Sequence, residues 1–426
     1  MELRDSARLG IPREGVRGAL SLLRRNRDFR GLYIAQLVSY GGDWFLTVAL
    51  FGLVLDTTHS PLMASLVLVS QMVPFFLLSP LGGVLADRLN RQRLMVSADL
   101  VRALACFGFL FVHDRSDVWI AFVLQAGLAG FGALFDPASS AAVPNLVDEE
   151  DLGTANVLVG SAWGTMLAIG AALGGLVAAV FGRTAAFMGD AASFAISAGL
   201  LSTIHRPFSE AREKGTHEGF VRATLETFEY ARRDRRVLAL ISVKGGFGFA
   251  SGVIVLLSVF AHDVFHAGDV GIGVLFGARG LGALIGPFFG RALAGPSERG
   301  LFRALGLALT TYGVFYSVFG LMPALWLAAP FAVGAHLGGG AQWTLSTYGL
   351  QRIVPDYIRG RVFAFDFAFV TLSITVSNLV AGWSAERFGP RPTMVGLAIV
   401  AAAYAGIWWT ATRRVRARLD TDRPPG

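Results

Sequence analysis

Four polar residues follow one another at helical spacing inside a long apolar run near the start of the chain. Gln36, Tyr40, Asp43 and Thr47 are 4, 3 and 4 residues apart, which places them within about 60° of one another around a helix. Asp43 has no Lys or Arg within twelve positions on either side. A buried acid can bind a proton and release it when neighbouring charges change. The stripe therefore predicts proton coupling or substrate binding, with a structural hydrogen bond to span 5 or 8 as the alternative.

Other apolar runs also carry polar or charged residues, and a charge at the centre of a membrane costs about 2.5–3.5 kcal/mol on insertion scales. Helix packing and topology are the alternatives to function for each of them. Lys244 shares a helical face with two serines, as His336 does with Trp343 and Thr347. Asp190 and Asp366 lie nearer the predicted membrane faces and rank lower. The further candidates for proton coupling or substrate contact are Arg102, Gln125, Lys244, Arg279, His336 and Trp343.

The composition explains why these residues stand out. Hydrophobic residues make up 54% of the 426 positions and charged residues 16%, and the mean hydropathy is +0.55. This balance is typical of a chain with several membrane spans. Nothing alternates as barrel strands do, so we expect an all-α membrane protein. Twelve runs are long enough to cross a bilayer, centred near residues 42, 73, 103, 130, 167, 194, 249, 280, 311, 337, 373 and 402.

Basic residues predict the orientation of these spans. With the N-terminus inside, the inner segments hold 30 of the 37 Lys and Arg residues. We therefore expect a multi-pass protein of the cell (inner) membrane with both termini cytoplasmic. The same bias accounts for the net charge of +7, so a nucleic-acid partner is not expected. The expected surroundings are the lipid bilayer, and the expected state is a monomer.

An internal repeat divides the chain. A shift of 207 residues aligns Pro80 with Pro287, Trp119 with Trp326, and the FG pair at 181–182 with the one at 388–389. Parallel half-repeats joined by an inner linker are typical of transporters. A linker stretch and the N-terminal segment each have apolar residues at helical spacing, which predicts either helices on the inner membrane surface or solvated helices. The predicted units are a basic N-terminal segment (1–29), a first six-helix half (30–204), a linker with an amphipathic helix (205–236), a second six-helix half (237–412) and a basic tail (413–426).

The stretch GVLADRLNRQR, residues 83–93, resembles the loop between helices 2 and 3 of the major facilitator superfamily. Asn90 replaces a glycine of that motif, and its tolerance of left-handed backbone would preserve the turn. The second-half copy, 290–300, has Ala294 where Asp87 would fall. The stretches 135–156 and 350–364 resemble inner loops of the enterobactin-exporter and macrolide-efflux branch. The resemblance extends from about residue 26 to 412.

The resemblance implies the major facilitator fold and an inner gate. In such proteins the motif's acid meets the N-terminus of helix 11, which here begins near Arg359 to Val362. Asp136 is then expected to accept a hydrogen bond from Arg88 or Arg91. The alternative is that these residues only cap helices and set topology. The expected inner-gate residues are Gly83, Asp87, Arg88, Arg91, Asp136 and Arg361.

The sequence has no motif for binding ATP, so transport driven by ATP hydrolysis in this chain alone is not expected. It contains no Gly-Lys dipeptide, hence no phosphate-binding loop, and we expect neither an enzyme nor a cofactor or metal. The spacing in HDVFH, 262–266, resembles a zinc motif but is expected to bind no metal. These features favour a secondary active transporter that exports a small amphipathic molecule, such as a drug, siderophore or secreted metabolite, in exchange for protons. The alternative is a binding or sensing protein on the same fold that has lost transport.

Overall fold

Twelve long helices account for most of the chain. The structure is a computed structural model that describes residues 15–208, 233–295 and 297–421. The amphipathic helix predicted within the linker falls on residues outside these ranges. Within them the regular structure is helical, with no strand. The long helices, labelled α1 to α12, are Arg27–Thr58, Pro61–Arg88, Arg91–Cys106, Val118–Leu146, Leu152–Phe181, Arg183–Ser202, Arg235–Val259 with a break after Ala250, Gly268–Ala294, Glu298–Leu321, Leu325–Ile353, Asp356–Phe388 and Pro390–Ala411.

These helices coincide with the twelve predicted spans. Among the described residues, eleven of them are long and apolar enough to cross a membrane. The twelfth, α10, is 29 residues long but is not among them, because it carries many glycines together with His336, Gln342 and other polar residues. The fold class predicted from the sequence, an all-α membrane protein, is therefore confirmed.

Short helices flank this set. Gly15–Arg25 precedes α1 and buries Leu22 completely while Leu20 stays about half exposed. Arg25 at its end pairs with Asp151 at the start of α5. Arg413–Thr421 follows α12. We call the end of the molecule that carries these short helices the inner end, and the opposite end the outer end.

Aligned positions of the internal repeat have matching local structure. Gly182 and Gly389 precede α6 and α12 with φ of 84° and 90° and ψ of 160° and 159°. Positive φ of this kind is readily accessible only to glycine. The two FG pairs thus make the same turn into the sixth helix and into the twelfth helix.

Packing between the first six and the last six helices is concentrated at the outer end and the middle. One cluster of buried apolar side chains there draws on both sets, for example Phe51 and Leu167 with Phe260 and Phe276. At the inner end the described residues form two separate clusters, one built around Phe135 and one around Phe302. The outer end is therefore closed by apolar packing.

Small residues bring α5 and α8 into backbone contact. A side chain added at Gly273 would lie 2.8 Å from the Ala171 carbonyl oxygen and 3.0 Å from the Gly175 Cα. Gly280 likewise faces the backbone of Ala168. Close packing of this kind is a main contribution to helix association in lipid, because lipid provides no hydrophobic driving force between helices. The crossing therefore depends on the absence of side chains at these glycines.

We predict that Gly273→Val forces α5 and α8 apart and destabilises the protein by about 1–3 kcal/mol, as overpacked core substitutions do. Gly164→Val on α5 is the control, because nothing lies within 4 Å of a Cβ there. Thermal unfolding of both variants in the same detergent checks the prediction. Equal melting temperatures for the two variants would contradict it.

Candidate functional site

Arg102 on α3 is the hub of a polar network inside the first six helices. Its guanidinium donates to Asp43 on α1 at 2.7 Å and to Asp99, one turn earlier on α3, at 3.4 Å. It lies 3.8 Å from the centroid of the Phe194 ring on α6. Arg102 is 5% exposed, whereas the Asp43 side chain keeps 29% exposure. Asp43 thus remains reachable by water or solute although it lies at the middle of α1.

Two further carboxylates lie within electrostatic range of Arg102: Asp136 on α4 and Asp190 on α6. Asp190 is completely buried and accepts hydrogen bonds from Cys106 at 3.5 Å and Ser193 at 3.2 Å. We call Asp43, Asp99, Asp136 and Asp190 the acid cluster. A single guanidinium therefore faces four carboxylates. Buried charges in such excess are costly unless they are neutralised.

The stripe on α1 is directed towards α3 and α4. Tyr40 donates to Asp136 at 3.2 Å, and Gln36 donates to Ser139 at 2.7 Å. Thr47 donates to the Asp43 carbonyl oxygen at 2.7 Å, one turn back on its own helix. The sequence leaves open which cation within the spans, Arg102, Lys244 or Arg279, pairs with Asp43; in the structure it is Arg102. The neighbour that binds Asp43 is thus α3, not the helices of spans 5 or 8.

Asp99 was missed in the sequence analysis. It is completely buried and belongs to the acid cluster. Its i,i+3 spacing with Arg102 on one helix face was an available signal, because residues so spaced are neighbours. Asp190, which ranked low in the sequence analysis, also lies in the cluster. A position near the predicted membrane face thus did not keep Asp190 out of the network.

A second buried ion pair lies in the last six helices. Lys244 on α7 pairs with Asp366 on α11, and both side chains are nearly inaccessible. The Lys244 ammonium also donates to Thr347 at 3.2 Å and lies 4.9 Å from the Trp343 ring centroid. The polar faces predicted on α7 and α10 therefore meet. Asp366, the partner of Lys244, was ranked low in the sequence analysis.

The remaining candidates lie apart from both pairs. His336 is bonded to the Tyr316 hydroxyl at 2.8 Å. Gln125 is buried on α4, and its Oε1 accepts no hydrogen bond from the described residues. Arg279 on α8 is surrounded by the aromatic rings of Trp44, Trp163 and Phe276, with centroids 5.7–6.0 Å from its guanidinium carbon.

The motif between α2 and α3 ties together the inner end of the first six helices. Arg91 is 4% exposed and donates to the carbonyl oxygens of Ala86, Ala141 and Phe208. Gln92 donates to the carbonyls of Leu201 and Ile204. These bonds cross from the motif to α4 and to the end of α6. The long side chains of Arg91 and Gln92 reach backbone carbonyls on other helices, which a short side chain at either position would not do.

Other members of the predicted inner gate differ from expectation. Asn90 has φ −66° and ψ 113° and caps α3 by accepting the Arg93 N–H at 3.0 Å, so the expected left-handed turn is wrong. Asp136 accepts its hydrogen bond from Tyr40; among the described residues neither Arg88 nor Arg91 donates to it. Asp136 therefore belongs to the acid cluster rather than to a pair at the inner end.

The predicted contact of Asp87 with the start of α11 depends on a side chain that lies outside the described part of the structure. Gly83 is partly buried with open space where a side chain would project. Arg88 is exposed at the end of α2, and Arg361 is partly buried near the start of α11. The gating role of the motif therefore stays a prediction.

An ion-pair network at the outer end was not foreseen. Arg183, at the start of α6, binds Asp56 on α1 at 2.6 Å and Asp269 on α8 at 3.0 Å. His262 at the end of α7 binds the same Asp56 at 2.5 Å and Asp263 at 2.6 Å. The network joins the first six helices to the last six. No motif in the sequence indicates this network, because its members come from four separate helix ends.

No group of His, Cys, Asp and Glu in the described ranges has the arrangement of a metal site. His262, part of the apparent zinc spacing, is instead committed to Asp56 and Asp263. Its neighbours Phe260–Val264 form a single π-helical turn, and His266 has a left-handed backbone with φ 51°. The helix on which a zinc motif would depend therefore ends within the motif.

The sequence profile of the family described as "Transmembrane secretion effector" matches residues 18–421. The chain belongs to this family of major facilitator superfamily transporters. It is therefore a multi-pass membrane protein of a transporter family rather than of an enzyme family. The resemblance seen in the helix 2–3 motif is confirmed.

Efflux proteins are among the relatives of this transporter. Macrolide efflux protein A of Streptococcus pyogenes is 23% identical over 85% of this chain and 90% of its own length. Enterobactin exporter EntS of Citrobacter koseri is 28% identical over 80% and 82%. The MFS-type transporter YfiS of Bacillus subtilis is 31% identical, but the match covers only 44% of its length and 43% of this chain.

Solved structures agree on the fold. A bacterial homologue of the human lysosomal transporter Spinster, in an inward-facing and unoccupied conformation, superposes with a TM-score of 0.71. The match covers 94% of this chain and 99% of that one at 14% identity. At such identity the likeness concerns the fold alone.

We predict that Arg183→Gln weakens closure of the outer end. It removes the pair with Asp269, which crosses between the two sets of helices, and the pair with Asp56, the residue that His262 binds from the other set. Partly buried pairs of this kind contribute about 1–2 kcal/mol, a five- to thirtyfold change in the ratio of open to closed forms. Spin labels at Ser116→Cys and Ala324→Cys in a Cys106→Ser background measure the distance across the outer end. We expect a longer distance to gain population.

Arg391→Gln is the matched control for that measurement. Arg391 donates to the Gly320 and Met322 carbonyls, so its bonds stay within the last six helices. An equal distance change in both variants would show that general loosening, not the ion pairs of Arg183, controls closure.

We also predict that Asp366→Asn destabilises the protein by about 3–5 kcal/mol, because it leaves the buried Lys244 ammonium without its counter-ion. Adding Lys244→Gln to that variant should restore most of the lost stability, since neither charge then remains. Thermal unfolding of the two single variants and the double variant gives the interaction energy. Additive losses in the double variant would refute the pairing.

Proposed function

We propose that this transporter exports a small amphipathic molecule in exchange for protons, by alternating access, in the inner membrane with both termini cytoplasmic. The observation that carries the proposal is the acid cluster around Arg102. Protons are the simplest means of neutralising its excess of carboxylates. The names of the efflux relatives support the direction of transport.

Asp43 is the proposed proton-coupling group. It is the member of the cluster directly bonded to Arg102 at 2.7 Å that also keeps substantial exposure. In the proposed cycle a proton from outside reaches Asp43 while the protein is open outwards, and it leaves towards the cytoplasm after the change of access. Arg102 stabilises the carboxylate once the proton has left. The neighbouring acids Asp99, Asp136 and Asp190 set the local field in which this exchange takes place.

Closure of the outer end supplies the second requirement of alternating access. The ion pairs of Arg183 and His262 hold together the ends of α1, α6, α7 and α8. We propose that they form the outer gate, opposite to the inner gate that the motif at 83–93 predicts. Each gate would close by charged contacts that break when the other forms.

We predict that Asp43→Asn abolishes transport driven by a pH gradient while leaving the fold intact. Asparagine keeps an oxygen that accepts from Arg102 but cannot carry the proton. Proteoliposomes with an imposed pH gradient and a panel of 1-pyrenesulfonate, 1-pyrenemethanol and 1-pyrenemethylamine provide the measurement. Gradient-driven transport should fall to the level of protein-free vesicles.

Asp148→Asn is the control, because Asp148 is an exposed carboxylate whose ion pair with Arg206 spans 3.5 Å. Undiminished gradient-driven transport by Asp43→Asn would overturn the coupling role of Asp43. If the wild type binds one of the three pyrene probes but transports none of the three, a sensing protein is favoured over a transporter.

A further inference from the structure

Arg279 differs from the other two basic residues in the middle of the helices. Arg102 is paired with the buried Asp99 and Lys244 with the buried Asp366. Within the residues that the structure describes, Arg279 has no carboxylate partner, and its Nε has no hydrogen-bond acceptor. Tyr312, Tyr316 and His336 lie within electrostatic range of it. A cation at this depth is expensive when it lacks a counter-ion.

The position of Arg279 is fixed by the packing of its helix. Gly277 and Gly280 on either side of it contact α5 at Ala168, where an added Cβ would meet backbone atoms. The backbone of Arg279 is therefore held at the crossing of α5 and α8, and its guanidinium lies beside rings from α1, α5 and α8. Arg279 itself is only partly buried, so a solute between the helices can reach it.

Aromatic rings surround the guanidinium. Trp44 and Trp163 meet edge to face with centroids 5.9 Å apart, and Phe276 lies 6.0 Å from Trp44. Trp163 is 46% exposed, which leaves part of its ring free to pack on another molecule. Aromatic faces beside a cation suit a ligand with a ring or apolar body and one charged end.

We propose that Arg279 binds the negatively charged group of the transported molecule, and that this molecule is an amphipathic organic anion with a carboxylate, sulfonate or phosphate end. The planar guanidinium fork matches two oxygens of such a group. The apolar body of the molecule packs on Trp163 and Trp44. The inference rests on the proposed transport function and names the class of its substrate.

The anion site is separate from the proposed proton site. The acid cluster interacts with Arg102, whereas the electrostatic neighbours of Arg279 are Tyr312, Tyr316 and His336. Trp44, which packs on Arg279, directly follows Asp43 in the chain. A binding measurement without any pH gradient can therefore test the anion site independently of proton coupling.

The test uses two probes that differ in charge on one aromatic body, 1-pyrenesulfonate and 1-pyrenemethanol. Energy transfer from tryptophan to pyrene reports their binding to the purified full chain in lipid nanodiscs. The wild type should bind the sulfonate about tenfold more tightly than the alcohol, the scale of one charge-assisted hydrogen-bonded contact. Arg279→Gln should remove this preference and leave the affinity for the alcohol unchanged within about twofold.

Two further variants keep the test decisive. Arg279→Lys retains the charge without the planar fork and should keep an intermediate preference, which gives a result even where Arg279→Gln fails to fold. Arg291→Gln removes an arginine of the same helix that lies 5.5 Å from the Tyr348 ring centroid; it should bind both probes as the wild type does.

Each outcome bears on one proposal. A wild type without preference for the sulfonate, or a preference that survives in Arg279→Gln, overturns the anion site. Selective binding through Arg279 without transport in a pH gradient supports the anion site and counts only against proton-coupled export. Gradient-driven transport of the alcohol alone supports proton-coupled export and counts against the anion site.

Discussion

The interior of the first six helices depends on one guanidinium. Arg102 is the centre on which α1, α4 and α6 direct their carboxylates, and Phe194 covers its face. Without Arg102 these four acids would lack their cationic neighbour among the described residues. The hydrocarbon of the bilayer provides no hydrogen-bond donor that could replace it. The packing of the spans and the chemistry of the site thus share one requirement, a positive charge at this point of α3.

The last six helices solve the same problem differently. Lys244 and Asp366 neutralise each other, and Arg279 lies separately, with no carboxylate partner among the described residues. The acid excess and this arginine therefore lie in opposite sets of six helices. In the proposed cycle a transported molecule meets both, which is the physical basis for assigning protons to one set and an organic anion to the other.

The fold could be predicted almost entirely from the sequence, whereas the site could be predicted only in part. Span number and positions follow from runs of apolar residues, since lipid imposes that pattern on every helix. The stripe on α1 was identified because isolated polar residues are conspicuous in such runs. Which of three cations would meet Asp43 was not predictable, because that depends on helix rotation and crossing. Asp99 was missed although its i,i+3 spacing with Arg102 places both residues on one helix face.

The inner and outer ends of the molecule also differ in how far their contacts could be predicted from the sequence. The inner motif was recognisable because its residues are consecutive, yet the structure gives Asn90 a capping role and moves Asp136 to the interior. The outer ion pairs have no consecutive signature: Asp56, Arg183, His262 and Asp269 are joined only by the fold. Charged residues at span ends set topology in any membrane protein, so sequence alone assigns them no further task. Here the ion pairs Arg183–Asp269 and His262–Asp56 join the two sets of helices, which is why we propose that these span-end charges form an outer gate.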